Sequence, residues 1–130
     1  MMPPMRRLAA PLALLALATG CGGDDEKAGG RSVSADAGGA VTVDAHEYRF
    51  DPDRVVVAGP GTLTIRLRNE GDLAHNIRVL RDGDEIGGTQ SFAPGRTESA
   101  RVRIEPGSYE LICSVGDHAE LGMKGTLEVR

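Results

Sequence analysis

Thr62-Leu63-Thr64-Ile65-Arg66-Leu67-Arg68 alternates without a break. Successive side chains of an extended chain point to opposite faces, so Leu63, Ile65 and Leu67 share one face and Thr64, Arg66 and Arg68 the other. This is a strand with one buried side. Reading outward, the same period of two, interrupted at short intervals by turn residues, runs from residue 41 to the C-terminus, and helical periodicity is hard to find. Strands are predicted near 41–50, 54–58, 61–69, 75–80, 96–104, 108–114 and 124–130. Asp51-Pro52-Asp53, Gly59-Pro60-Gly61, Arg81-Asp82-Gly83-Asp84, Ala93-Pro94-Gly95 and Glu105-Pro106-Gly107 supply the turns between them. Residues 82–94, with Ile86 and Phe92 as their only large apolar side chains, read as a loop or a weak edge strand. The expected fold is all-β, a sandwich or barrel of antiparallel strands, with a core of Val, Leu and Ile because the chain has two Tyr, two Phe and no Trp.

Residues 1–40 are unlike the rest of this 130-residue chain, leaving about ninety residues for one domain at 41–130. Arg6 and Arg7, the apolar run Leu8 to Ala18 and the ending Thr19-Gly20-Cys21 have the order of an export signal over residues 1–20. The apolar run is short for a membrane span, and a small-residue site ending in Cys resembles the bacterial lipoprotein signal, which makes Cys21 the expected lipidation site. Ala18 stands where that signal usually has Leu, and ordinary secretion is the alternative. Residues 21–40, rich in Gly, Ala, Ser and Asp, read as a disordered tether. With Cys21 given to lipid, Cys113 is left without an intramolecular disulfide partner in an oxidising compartment, so its thiol calls for burial, an intermolecular bond, catalysis or a metal.

Around that thiol the chain reads Tyr109-Glu-Leu-Ile-Cys113-Ser-Val-Gly-Asp-His118-Ala-Glu-Leu-Gly-Met123-Lys-Gly-Thr-Leu-Glu-Val129. Four residues separate Cys113 from His118 and four separate His118 from Met123, so one loop between two strands offers a thiolate, an imidazole and a thioether. Those donors suit copper: soft sulfur satisfies Cu(I), imidazole satisfies Cu(II), and one Cys with two His and a weak axial Met is a compromise between the two ions. His75, in Leu73-Ala-His75-Asn76-Ile77 at a predicted strand entrance, supplies the second imidazole. His46, in the first predicted strand and away from both motifs, reads as a surface or edge residue.

The His-Asn pair followed by Tyr-x-x-x-Cys, four residues, His, four residues, Met and Gly-Thr-Leu-Glu-Val resembles the cupredoxins, blue copper proteins of the plastocyanin and azurin type, over residues 41–130. The resemblance implies a Greek-key β-sandwich of about seven or eight strands. It implies one copper ion held in plane by His75, Cys113 and His118 and axially by Met123, with Asn76 tying the two ligand-bearing loops together. Tyr109 matches a family aromatic that packs near the loop. Many members carry Pro in the Cys-to-His loop; Gly116-Asp117 stands there here. In the family the edge of the second loop His is the electron port, and Ala119, Leu121 and Gly122 are candidates for the apolar patch around it.

The function expected on this reading is one-electron transfer outside the cytoplasmic membrane, without catalysis, by a monomer that meets redox partner proteins transiently and is anchored through Cys21. Extracytoplasmic copper delivery is the alternative; four buried ligands release metal slowly, and no Met-rich tail is present. A metal-free binding module would leave the four ligands without a purpose, and a Cys113 nucleophile would leave His75 and Met123 unexplained. Charge disfavours nucleic acid as a partner: 19 acidic against 13 basic residues from Cys21 onward give a net charge of −6.

Overall fold

The computed structural model describes residues 30–130. Ten strands follow one another: β1 (Ser32–Ala35), β2 (Ala40–His46), β3 (Arg49–Asp51), β4 (Arg54–Val57), β5 (Gly61–Asn69), β6 (Arg78–Arg81), β7 (Asp84–Gly88), β8 (Thr97–Ile104), β9 (Gly107–Ile112) and β10 (Lys124–Val129). They form two sheets, one ordered β1-β4-β10-β9-β6-β7 and the other β3-β2-β5-β8. The chain passes between the sheets after β1, β3, β4, β5, β7 and β8, which makes the all-β fold a Greek-key sandwich.

The alternation in β5 has the expected result. Leu63, Ile65 and Leu67 are buried and meet Val41, Val43 and Ala45 of β2 and Ala100, Val102 and Ile104 of β8 in one core layer. Val55, Val57, Leu111, Leu127 and Val129 of the other sheet close it from the opposite side. Burying each of the Val, Leu and Ile side chains contributes roughly 1.5–3 kcal/mol. The Tyr109 hydroxyl donates to the Glu105 carbonyl (3.1 Å) and accepts from the Glu105 N–H (2.8 Å) and from Arg81 (2.9 Å), which pins the turn before β9 to the sheet.

Four expectations need correction. The sheets are mixed, not purely antiparallel: β2 runs parallel to β5, and β4 runs parallel to both β1 and β10. Alternation along a strand is the same for either direction, and only the crossovers between sheets decide it. The expected tether through residue 40 ends too late, because Ser32–Ala35 pairs with Arg54–Val57 as β1, with Val33 and Ala35 turned partly inward. The single strand expected at 41–50 is a hairpin, β2 and β3 joined by Glu47-Tyr48. The strand expected from His75 begins at Arg78, and His75 itself makes an isolated bridge to Phe92. The weak edge strand considered for 82–94 exists as β7. Residues 1–29, which include the segment read as an export signal and Cys21, lie outside the described residues.

Candidate metal centre

Three loops meet at one end of the sandwich. The first follows β5. Asn69, almost wholly buried, donates from its amide to the carbonyls of Leu73 (2.9 Å) and Phe92 (3.1 Å) and accepts from the Gly71 N–H (3.1 Å), so it shapes the turn that delivers His75. His75 has no exposed surface, and its backbone is fastened to Phe92 on both sides. The second loop joins β9 to β10. The Cys113 N–H donates to the Met123 carbonyl (3.1 Å) and the Met123 N–H to the His118 carbonyl (3.0 Å), which closes the loop as a ring of backbone hydrogen bonds. Gly116 and Gly122 both take positive φ in it, where a side chain would be strained. The third loop is the Glu47-Tyr48 turn.

Asn76 joins the first two loops: its amide donates to the Ser114 hydroxyl (2.8 Å) and its carbonyl accepts from the Ser114 N–H (2.8 Å). The donor atoms of His75, Cys113 and His118 consequently all lie within 4.8 Å of one another, and all three residues are buried. Cys113 Sγ is 3.9 Å from His75 Nδ1 and 3.6 Å from His118 Nδ1. The middle of a triangle of that size is roughly 2 Å from each corner, the bond length from a first-row metal to imidazole or thiolate. Two imidazole nitrogens and one cysteine sulfur, all on buried residues, fit copper by geometry and by donor type. Met123 has no exposed surface, and Cys113 is the free thiol among the described residues. His46 ends β2 and stands outside the cluster.

Two residues of the site have no motif in the sequence. Glu47 Oε1 lies 2.9 Å from His75 Nε2, and the same oxygen accepts the backbone N–H groups of Asp72 (2.8 Å) and Leu73 (2.9 Å). The His75 ring nitrogen and the Leu73 N–H hold the Glu47 carboxyl at about 2, well below the usual carboxylate range. The next residue, Tyr48, stands edge-on to the His118 ring with centroids 5.0 Å apart. One turn thus covers both imidazoles. Glu47 is 28 residues from His75, and nothing local to a turn announces so distant a contact. The candidate patch is partly present: Leu121 is 51% exposed and Gly122 exposed, Ala119 is half-buried, and Leu73, 44% exposed, is a further apolar residue at this end.

A Greek-key sandwich that buries two imidazoles and a thiolate as one cluster between its loops is a cupredoxin with a type 1 copper site. More particularly, the chain belongs to the plastocyanin/azurin family of copper-binding proteins, whose family model matches residues 37–130. Among solved structures it is similar to a dithionite-reduced auracyanin from the photosynthetic bacterium Roseiflexus castenholzii, with TM-score 0.67 and 20% identity over 74% of this chain and 99% of that one. Auracyanin A, a blue copper protein from Chloroflexus aurantiacus, matches with TM-score 0.61 and 19% identity over 77% of this chain and 100% of its own. Reduced rusticyanin gives TM-score 0.62 and 20% identity over 82% and 89%. No curated protein sequence matches the chain. At these identities the structural matches speak for the fold; the family match and the cluster speak for copper.

Proposed function

We propose that the protein is a blue copper one-electron carrier working outside the cytoplasmic membrane, and that it is not an enzyme. The observation that carries this reading is the buried His75–Cys113–His118 cluster with the buried Met123 closing its loop. Bound there, copper supplies a Cu(II)/Cu(I) couple. His75, Cys113, His118 and Met123 would hold it, with two imidazoles, a thiolate and a thioether as its donors. The hydrogen bonds of Asn76, Asn69 and Glu47 hold these side chains still, so little has to move when the charge of the site changes. His118, 7% exposed against none for His75, is the imidazole nearer solvent, and the Leu121 and Leu73 side chains beside this end suit brief contact with redox partner proteins. Cys21 is proposed as the lipid anchor, with the domain acting as a monomer.

The test is a visible and EPR spectrum of the exported protein after Cu(II) addition, beside Cys113→Ser and His118→Ala. An intense thiolate-to-copper band that both substitutions abolish and a mild reductant bleaches reversibly supports the carrier. Weak, Cys-independent binding in the wild type refutes it.

A further inference from the structure

The outer nitrogen of an imidazole ligand almost always donates to an acceptor, and which acceptor it finds alters the ligand. In this protein the acceptor for His75 is a carboxylate. His75 turns Nδ1 toward Cys113 and Nε2 toward Glu47 Oε1, so the ring proton sits on Nε2 and the lone pair on Nδ1. Glu47 is itself immobilised, since the Asp72 and Leu73 N–H groups converge on the same oxygen. The chain is also shaped to admit it. A Cβ at Gly71 would fall closer to both Glu47 carboxyl oxygens than van der Waals contact permits, so glycine there leaves the room the carboxylate occupies.

We propose that Glu47 is the positioning residue that biases this site toward Cu(II), by holding a negative charge on the far side of the His75 ring. The hydrogen bond makes Nδ1 a stronger donor, and the fixed charge interacts more favourably with a divalent than with a monovalent ion. The inference rests on the copper reading and concerns how the chain sets the balance between the two oxidation states.

Glu47→Gln separates charge from geometry, because an amide oxygen still accepts from Nε2–H and from the two backbone donors. The experiment loads wild type and Glu47→Gln with copper, then measures the reduction potential by redox titration and the Cu(II) and Cu(I) affinities by competition with chelators. Neutralisation is expected to weaken Cu(II) binding about tenfold, the lower end of what loss of an outer partner costs, with Cu(I) binding little changed. A tenfold change in that ratio is a rise of about 59 mV in potential, with the intense visible band retained. Gly71→Ala, which displaces the carboxylate without touching any ligand, is expected to raise the potential in the same direction. Equal potentials and equal affinity ratios in wild type and Glu47→Gln overturn the proposal and reduce Glu47 to a pin for the loop after β5. A wild type that lacks the visible band overturns the copper reading itself, so the two failures are distinguishable.

Discussion

Replacing Asn76 by Ala cuts the two hydrogen bonds between the His75 segment and the Cys113 segment, Asn76 Nδ2 to Ser114 Oγ and Ser114 N–H to Asn76 Oδ1, both 2.8 Å. Each net hydrogen bond is worth about 0.5–1.5 kcal/mol, so the substitution is expected to cost about 2 kcal/mol. In a domain of this size that lowers Tm by roughly 8–16 °C. Ser114→Ala removes only the hydroxyl partner and leaves the bond from its backbone N–H, so its expected cost is about 1 kcal/mol. The double variant should cost no more than Asn76→Ala alone, because the hydroxyl bond can be lost only once, and the coupling is therefore about 1 kcal/mol. Urea unfolding of the metal-free protein gives all four corners of the cycle. If the two single costs simply add, or if Asn76→Ala costs less than about 0.5 kcal/mol, the bridge does not join the two segments as described.

Tyr109→Phe leaves the ring in place but removes the hydroxyl from the Glu105 backbone and Arg81, with an expected loss of about 1–3 kcal/mol in urea unfolding and no change in the copper spectrum. Met123→Leu is close to volume-conserving and should cost the metal-free fold less than about 1.5 kcal/mol. The same substitution should shift the visible band and the potential of the copper form; an unchanged spectrum would show that Met123 is only core. Asp44 forms a two-pronged ion pair with Arg68 (2.6 and 2.8 Å), and the Arg68 hydrogen bond holds its carboxyl below the usual range. A depressed carboxylate stabilises above its unfolded pKa and loses that contribution as pH falls through the folded one. Asp44→Asn is therefore expected to cost less than about 1 kcal/mol at neutral pH, with the gap from wild type closing below about pH 4 and narrowing in high salt.

What was readable in the sequence is what local chemistry enforces. The alternation at Thr62–Arg68 needs no partner to be seen, and β5 buries the three side chains it implies. The spacing of Cys113, His118 and Met123 and the His75-Asn76 pair are likewise local patterns, and the cluster assembles from three of those residues with Asn76 beside it. Strand direction left no such trace, since Val41, Val43 and Ala45 alternate in β2 whether they lie parallel or antiparallel to β5. β1 escaped notice because Val33 is the only sizeable apolar residue in a segment of Gly, Ala, Ser and Asp; its pairing with β4 is made by backbone atoms, which composition does not reveal. Glu47 and Tyr48 were hidden within what reads as one long strand. Only once the chain folds back there does the turn reach the two imidazoles.

The same edge strand decides at which end of the domain the chain enters. β1 and β10 both run parallel to β4, and Ser32 and Thr126 are level with each other on either side of Arg54. β10 starts directly after Met123, so the polypeptide enters β1 at the copper-bearing pole, two strand spacings or about 10 Å across the sheet from β10. With Cys21 as the proposed anchor, nine residues lead to Gly30, a leash of at most about 32 Å when fully extended. A domain moored that way would keep the pole that carries the His75–Cys113–His118 cluster on the side of its tether. On the proposed anchor, partners at the membrane would then be within reach of His118, and a partner from the bulk would approach from the side.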